Sequence, residues 1–189
     1  MRKLRALLFD LDGTLIDSAD ANHAAYSRAL QEFGVHIEPD EVAKAAAGRQ
    51  WRDFLPVLLR EAGVERDPAA IAARKGELYR DALGDLRLNG ALLALAASVG
   101  PEMKTALVTT ASGQSVRAIL DHLDLRPTFD CVVTGDDVTR HKPDPEAYLL
   151  AMARLHLDPQ ECLAFEDSDV GVASARAAGV SVVRVMFST

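Results

Sequence analysis

The sequence predicts an α/β protein: a doubly wound parallel sheet with a helical segment inserted after its first strand. Three observations carry this. Five short apolar runs, "LRALLF" (4–9), "KTALVT" (104–109), "FDCVVT" (129–134), "CLAFE" (162–166) and "SVVRV" (181–185), lack clean alternation. They read as strands covered on both faces. Helical patterns separate the later runs, and strand alternating with helix is the pattern of a parallel sheet. Residues 19 to 86 break that rhythm with helix patterns alone.

The first run ends in "DLDGT", Asp10 to Thr14. A buried strand does not accommodate carboxylates, so these residues belong at its end. Within the insertion, Trp51, Phe54, Leu55, Leu58, Leu59 and Ala62 recur at helical spacing, with Gly63 as the stop. Pro56 requires that helix either to begin near Asp53 or to kink. Asp67 and Pro68 open the next helix. Between the later strands come "GQSVRAILDHL" (113–123), "DPEAYLLAMARLHL" (144–157) and "DVGVASARAAG" (169–179), the last stopped by Gly179. The expected division is a core of residues 1–16 and 87–189 and a helical insertion of 17–86.

A chain of 189 residues holds one sizeable core, or one domain with a small insertion. Hydrophobic residues make up 49% and charged residues 26%, as in soluble globular proteins. The net charge is −7 and no basic block stands out, which argues against nucleic acid as a partner. No apolar stretch approaches the roughly 20 residues of a membrane span. The start, "MRKLRALLFDLDG", superficially resembles a secretory leader, but its apolar run ends in aspartates and has no small-residue cleavage pattern. Cys131 and Cys162 fall in apolar runs and form no CxxC, so they are expected as buried thiols in a reducing, cytoplasmic protein. A monomer or dimer is expected.

Ligands of open α/β sheets bind beyond the carboxyl ends of the strands. Those ends carry Asp10, Asp12, Gly13 and Thr14, then Thr109 and Thr110. Gly135, Asp136 and Asp137 follow the third run, with Lys142 further on, and Glu166, Asp167 and Ser168 follow the fourth. Several carboxylates at one edge repel one another unless a cation sits among them, and hard oxygen ligands suit Mg²⁺. A lysine and a threonine beside it make a site for phosphate. One carboxylate can then attack phosphorus while its neighbour two residues on acts as acid and base.

"DLDGT", "LVTT", "KPDP" and "FEDSDVGVASARAAG" resemble, in order and spacing, the four motifs of the haloacid dehalogenase-like hydrolase superfamily. The resemblance covers nearly the whole chain. It is strongest to the branch of phosphoglycolate phosphatases and β-phosphoglucomutases, whose small helical cap follows the first motif. It implies a Rossmann-like core and a Mg²⁺-dependent phosphatase of small phosphorylated metabolites. It further implies Asp10 as nucleophile and metal ligand, and Asp12 as general acid/base with its backbone carbonyl on the metal. Thr109 and the backbone of Thr110 would hold the phosphoryl group, Lys142 would neutralise charge, and Asp167 and Glu166 would complete the metal site.

Departures from the mutase pattern favour a phosphatase. Asn22 stands where the mutases carry a histidine, with His23 one residue later and so turned about 100° on a helix. Trp51 stands where they carry an arginine, between Arg49 and Arg52. Arg49 is the candidate for an anionic substrate. The rival readings are a sugar-phosphate isomerase and a non-catalytic domain of the same fold. Dehalogenation is disfavoured because those relatives lack a carboxylate at the Asp12 position. The five histidines show no metal-binding spacing. His141, next to Lys142, is read as a surface histidine, and Asp136 and Asp137 are left open between site and solvent.

Overall fold

The structure, a computed structural model, describes residues 3–46 and 49–187. Five parallel strands form the sheet in the order β5-β4-β1-β6-β7. They are β1 (Ala6–Phe9), β4 (Lys104–Val108), β5 (Cys131–Val133), β6 (Cys162–Glu166) and β7 (Ser181–Arg184). All five apolar runs of the sequence are therefore strands, some trimmed at their ends. β1 is central, with Ala6–Phe9 paired to Lys104–Leu107 on one side and to Cys162–Phe165 on the other. From β1 the chain first builds outward through β4 and β5, then returns to build β6 and β7 on the other side. That reversal creates a crevice at the carboxyl ends of β1, β4 and β6.

Successive side chains of a strand face opposite ways, and both faces are covered. Leu7, Phe9, Leu107 and Phe165 join one buried cluster, while Ala6, Leu8, Ala106, Val108 and Ala164 join the other. Phe9 stacks on Phe165 at 5.0 Å between ring centroids. The second face is sealed by α7 (Glu146–Leu155) and α8 (Asp169–Ala177), through Tyr148, Ala151, Met152 and Ala175. The first face meets α5 (Gly90–Ser98), α6 (Gly113–His122) and the insertion.

The insertion holds α1 (Ala19–Glu32), α2 (Pro39–Ala46), α3 (Trp51–Glu61) and α4 (Pro68–Asp81). Tyr26 of α1 meets Phe54 of α3 edge-on at 5.2 Å. Asp67 caps α4 by accepting from Ala69 N at 2.9 Å, with Pro68 behind it as the sequence predicts. α3 begins at Trp51, so of the two options that Pro56 left, a start near Asp53 is excluded and the proline falls inside the helix. A proline there leaves the Arg52 carbonyl without its helical donor.

The chain enters and leaves the insertion through a two-stranded antiparallel ribbon, β2 (Ile16–Asp17) against β3 (Arg87–Leu88). The Asp17 carboxylate accepts from the Arg87 guanidinium across it. Two residues per strand are too few to show a period, so this ribbon is invisible in the sequence. Among the described residues no helix is long and apolar enough to cross a membrane.

Candidate active site

The four strand-end segments converge as their positions require. Asp10 follows β1 directly and is 7% exposed. Lys142, also 7% exposed, donates from its ammonium to Asp10 Oδ1 at 2.7 Å and to the Val108 carbonyl at 2.9 Å. It also donates to Glu166 Oε1, which accepts from the Tyr148 hydroxyl at 2.6 Å. One cation thus links the ends of β1, β4 and β6. Burial works against the charged lysine, but the charges of Asp10 and Glu166 outweigh it and raise its pKa.

Asp10, Glu166 and Asp167 each bring a carboxylate oxygen within 4.8 Å of the others. Burial, and then the charge of Asp10, pushes Asp167 up to about 6. The same two causes push Glu166 upward against the pull of Lys142. Gly13 brings the first loop onto Asp167: its φ is +84°, and a β-carbon there would overlap the Asp167 carboxylate. Thr14 Oγ1 reaches Asp167 Oδ1 at 3.4 Å. Ser168 caps α8 by accepting from Gly171 N at 3.1 Å, which leaves Asp167 free of that task.

Asp12 is exposed toward the cavity it lines, although protein surrounds its carboxylate on the other sides. Burial raises its pKa, and the charge of Asp10 adds to that, against a hydrogen bond from Ser18 Oγ to Asp12 Oδ1. Thr109 is buried at the end of β4, and its Oγ1 accepts from Ala111 N at 3.0 Å. Thr110 follows on the cavity wall.

Asp10, Asp12, Thr109, Thr110, Lys142 and Asp167 line one cavity of about 480 Å³ between the sheet edge and the insertion, while Glu166 is fully buried and not on its wall. The sequence profile of haloacid dehalogenase-like hydrolases matches residues 7–185. The chain belongs to the haloacid dehalogenase-like hydrolase family. It is 32% identical over 179 residues to fructose-1-phosphate phosphatase YqaB of Escherichia coli K12, covering 95% of each chain. To hexitol phosphatase A of the same organism it is 35% identical over 187 residues, covering 97% of this chain and 83% of that one. The solved structure of CbbY from Rhodobacter sphaeroides in complex with phosphate superposes with a TM-score of 0.82 at 25% identity, over 95% of this chain and 84% of that one. The chain is an enzyme of this family, a phosphoric monoester hydrolase.

For a haloacid dehalogenase-like hydrolase that uses a divalent cation, the donor set here fits. Three hard carboxylates lie close together and one lysine offsets only part of their charge. Glu166 differs from the other two. Its Oε1 is taken by Lys142 and Tyr148, while its buried Oε2 has no hydrogen-bond partner. Gly171 makes room for that carboxylate, because a β-carbon there would overlap it. Gly→Ala in an open helix interior gains about 1 kcal/mol. Gly171→Ala should do the reverse, lowering both the melting temperature and turnover. A thermal melt with a phosphatase assay checks this, and a stabilised, fully active variant would contradict it.

Two residues left open by the sequence are now placed. Asp137 accepts from Thr134 N at 2.8 Å and pairs with Arg154 at 2.7 Å, which ties it to its own turn. Asp136 lines the cavity, accepting from Gly113 N at 2.8 Å and pairing with Arg52 at 3.0 Å. Arg49 lines the cavity but is exposed, and Asn22 and His23 line it too. The histidine next to Lys142, His141, is not part of the cavity wall and is half-buried rather than on the surface.

Sequence reasoning passed over Lys75 and Gln50. Lys75 is buried in α4, its ammonium 4.8 Å from the Tyr26 ring centroid and 4.3 Å from that of Tyr79. Burial lowers its pKa to about 8, against the charge of Asp12. The available signal was a charged residue on the helix face of Ile71, Leu78 and Tyr79, all buried.

Proposed function

We propose that the protein is a Mg²⁺-dependent phosphatase that hydrolyses a phosphorylated sugar or sugar alcohol through an aspartyl-phosphate on Asp10. The observation that carries this is the Lys142 ammonium 2.7 Å from Asp10, inside a cluster in which Asp10, Glu166 and Asp167 approach within 4.8 Å. The substrate class follows from the fructose-1-phosphate and hexitol phosphatases among the relatives, and from a cavity walled by Tyr26, Trp51 and Tyr79.

Lys142 holds Asp10 Oδ1, leaving Oδ2 to attack phosphorus. A bond forms from Asp10 to phosphorus, and the bond to the sugar oxygen breaks. Asp12, whose raised pKa favours the protonated acid, gives that oxygen its proton. Thr109 Oγ1 accepts from Ala111, so its own hydrogen is free for a phosphoryl oxygen. The backbone of Thr110 assists. Asp12 then takes a proton from the water that attacks phosphorus, releasing phosphate and restoring Asp10. Asp10, Asp167, Glu166 and the Asp12 carbonyl would hold Mg²⁺, which supplies charge stabilisation for the transferring phosphoryl group.

Residues 17–86 act as a cap that excludes bulk water over the cavity. A cytoplasmic site of action agrees with two free, buried thiols, Cys131 and Cys162.

A screen of phosphate monoesters with and without Mg²⁺, using Asp10→Asn as the blank, tests the reading. Free phosphate should be released only with metal and only by the wild type. Interconversion of sugar phosphates without release would identify an isomerase. Equal output from the blank would show that Asp10 is not the nucleophile.

A pH dependence also follows. Asp167 titrates at about 6 in the folded protein, above the carboxylate of the unfolded chain. Folding therefore retains a proton, and this group's contribution to stability falls as the pH rises from about 4 to about 6. A cation among the carboxylates removes that cost and competes with the proton. The rise in melting temperature with MgCl₂ should be small near about pH 5 and larger near about pH 7.5. Thermal melts at the two pH values check this, and a gain independent of pH would contradict it.

A further inference from the structure

Gln50 occupies the N-cap position of α3 but makes no capping bond with its side chain. Short side chains at that position turn back onto the helix amides; this one crosses from the insertion to the core. Gln50 is 3% exposed. Its Oε1 accepts from Arg52 Nη1 at 3.1 Å. A guanidinium only donates, so this contact fixes which end of the amide is oxygen. The Nε2 end lies against Gly135, where a β-carbon would overlap both Gln50 Nε2 and the Thr110 carbonyl.

The support behind the amide is layered. Arg52 pairs with Asp136 Oδ1 at 3.0 Å and stands over the Trp51 ring at 4.5 Å. Asp136 uses its other oxygen to accept from Gly113 N at 2.8 Å, at the start of α6. A donor is therefore held beside the Thr110 backbone, on the wall of the cavity that Gln50 and Thr110 share. That donor is buried and has no hydrogen-bond partner. A buried donor left unpaired is costly, so a held one is there for a partner that arrives.

We propose that Gln50 is a substrate-binding residue whose Nε2 donates to a phosphoryl oxygen seated on the Thr109–Thr110 loop, with Arg52 and Asp136 as positioning residues. This rests on the phosphatase reading above. The bond forms only when the insertion lies against the core, so it couples closure to phosphate occupancy.

Gln50→Met keeps the length of the side chain and removes the donor. With a phosphate monoester and Mg²⁺, KM and the inhibition constant of inorganic phosphate should both rise about tenfold or more. The melting temperature of the ligand-free protein should fall little, since the one bond lost there comes from Arg52, which is half-exposed and keeps its pairing with Asp136. Arg52→Ala should raise KM in the same direction by a smaller factor. An active wild type with unchanged constants in Gln50→Met would overturn the assignment. So would a melting temperature that drops while the constants hold, the mark of a structural role. A wild type that hydrolyses no phosphate monoester would overturn the phosphatase reading, and this assignment with it.

Discussion

Asp10→Asn should lower phosphomonoester turnover by about a thousandfold or more, the scale of loss when a nucleophile that works as part of a unit is removed. An amide nitrogen cannot attack phosphorus usefully, and the remaining amide oxygen stays tied to Lys142, which donates at 2.7 Å in the wild type. The fold should not suffer. Asp10 is one of three acids packed within 4.8 Å, and its charge raises the pKa of both Glu166 and Asp167. Replacing it with a neutral group relieves repulsion, so the metal-free melting temperature should hold or rise. Its dependence on Mg²⁺ should weaken, because a proposed ligand has gone. Calorimetry and steady-state kinetics on the same preparation test both halves.

Lys142→Met should damage both stability and activity. The ammonium is the cation shared by Asp10 and Glu166, and Glu166 is 0% exposed. Removing one partner of a buried ion pair strands the other, at about 3–5 kcal/mol. The Val108 carbonyl and Glu166 Oε1 each lose a donor as well. Turnover should fall about a hundredfold or more, since charge developing on the phosphoryl group loses a preorganised partner. Added Mg²⁺ should recover part of the melting temperature by supplying positive charge to the same carboxylates, but not the turnover. Arginine is not an equivalent replacement, because its planar fork does not fit where a compact ammonium serves three acceptors. A Lys142→Met protein that melts like the wild type would show that the ion pair is not what holds these segments together.

The sheet was legible because its strands are covered on both faces. Burial on both sides produces continuous apolar runs, and each ends where polar residues begin. The catalytic candidates were legible for the same reason: Asp10, Thr109 and Glu166 are the points at which those runs meet the crevice. The two-residue ribbon at Ile16–Asp17 and Arg87–Leu88 has no periodicity to read, and α5, GALLALAAS, lacks the polar face that would show a helical period. Pro56 left two options open, a late start or a proline inside the helix, and α3 takes the second because Phe54, Leu55, Leu58 and Leu59 hold it in the core of the insertion. Gln50, Lys75 and Asp136 matter through partners distant in sequence. Arg52 and Asp136 are 84 residues apart along the chain, and no local pattern announces their meeting. Arg49 drew attention as an arginine in the cap loop, yet the side chain buried against the core belongs to its neighbour Gln50.

The most direct test is to quench the enzyme in acid during turnover of a phosphate monoester and locate the phosphoryl group by peptide mass spectrometry. Asp10 should carry it, and the Asp10→Asn protein should carry none. An enzyme that turns over with its phosphoryl group on another residue, or with no trapped adduct under conditions where hydrolysis of the intermediate is made slow, would contradict the account.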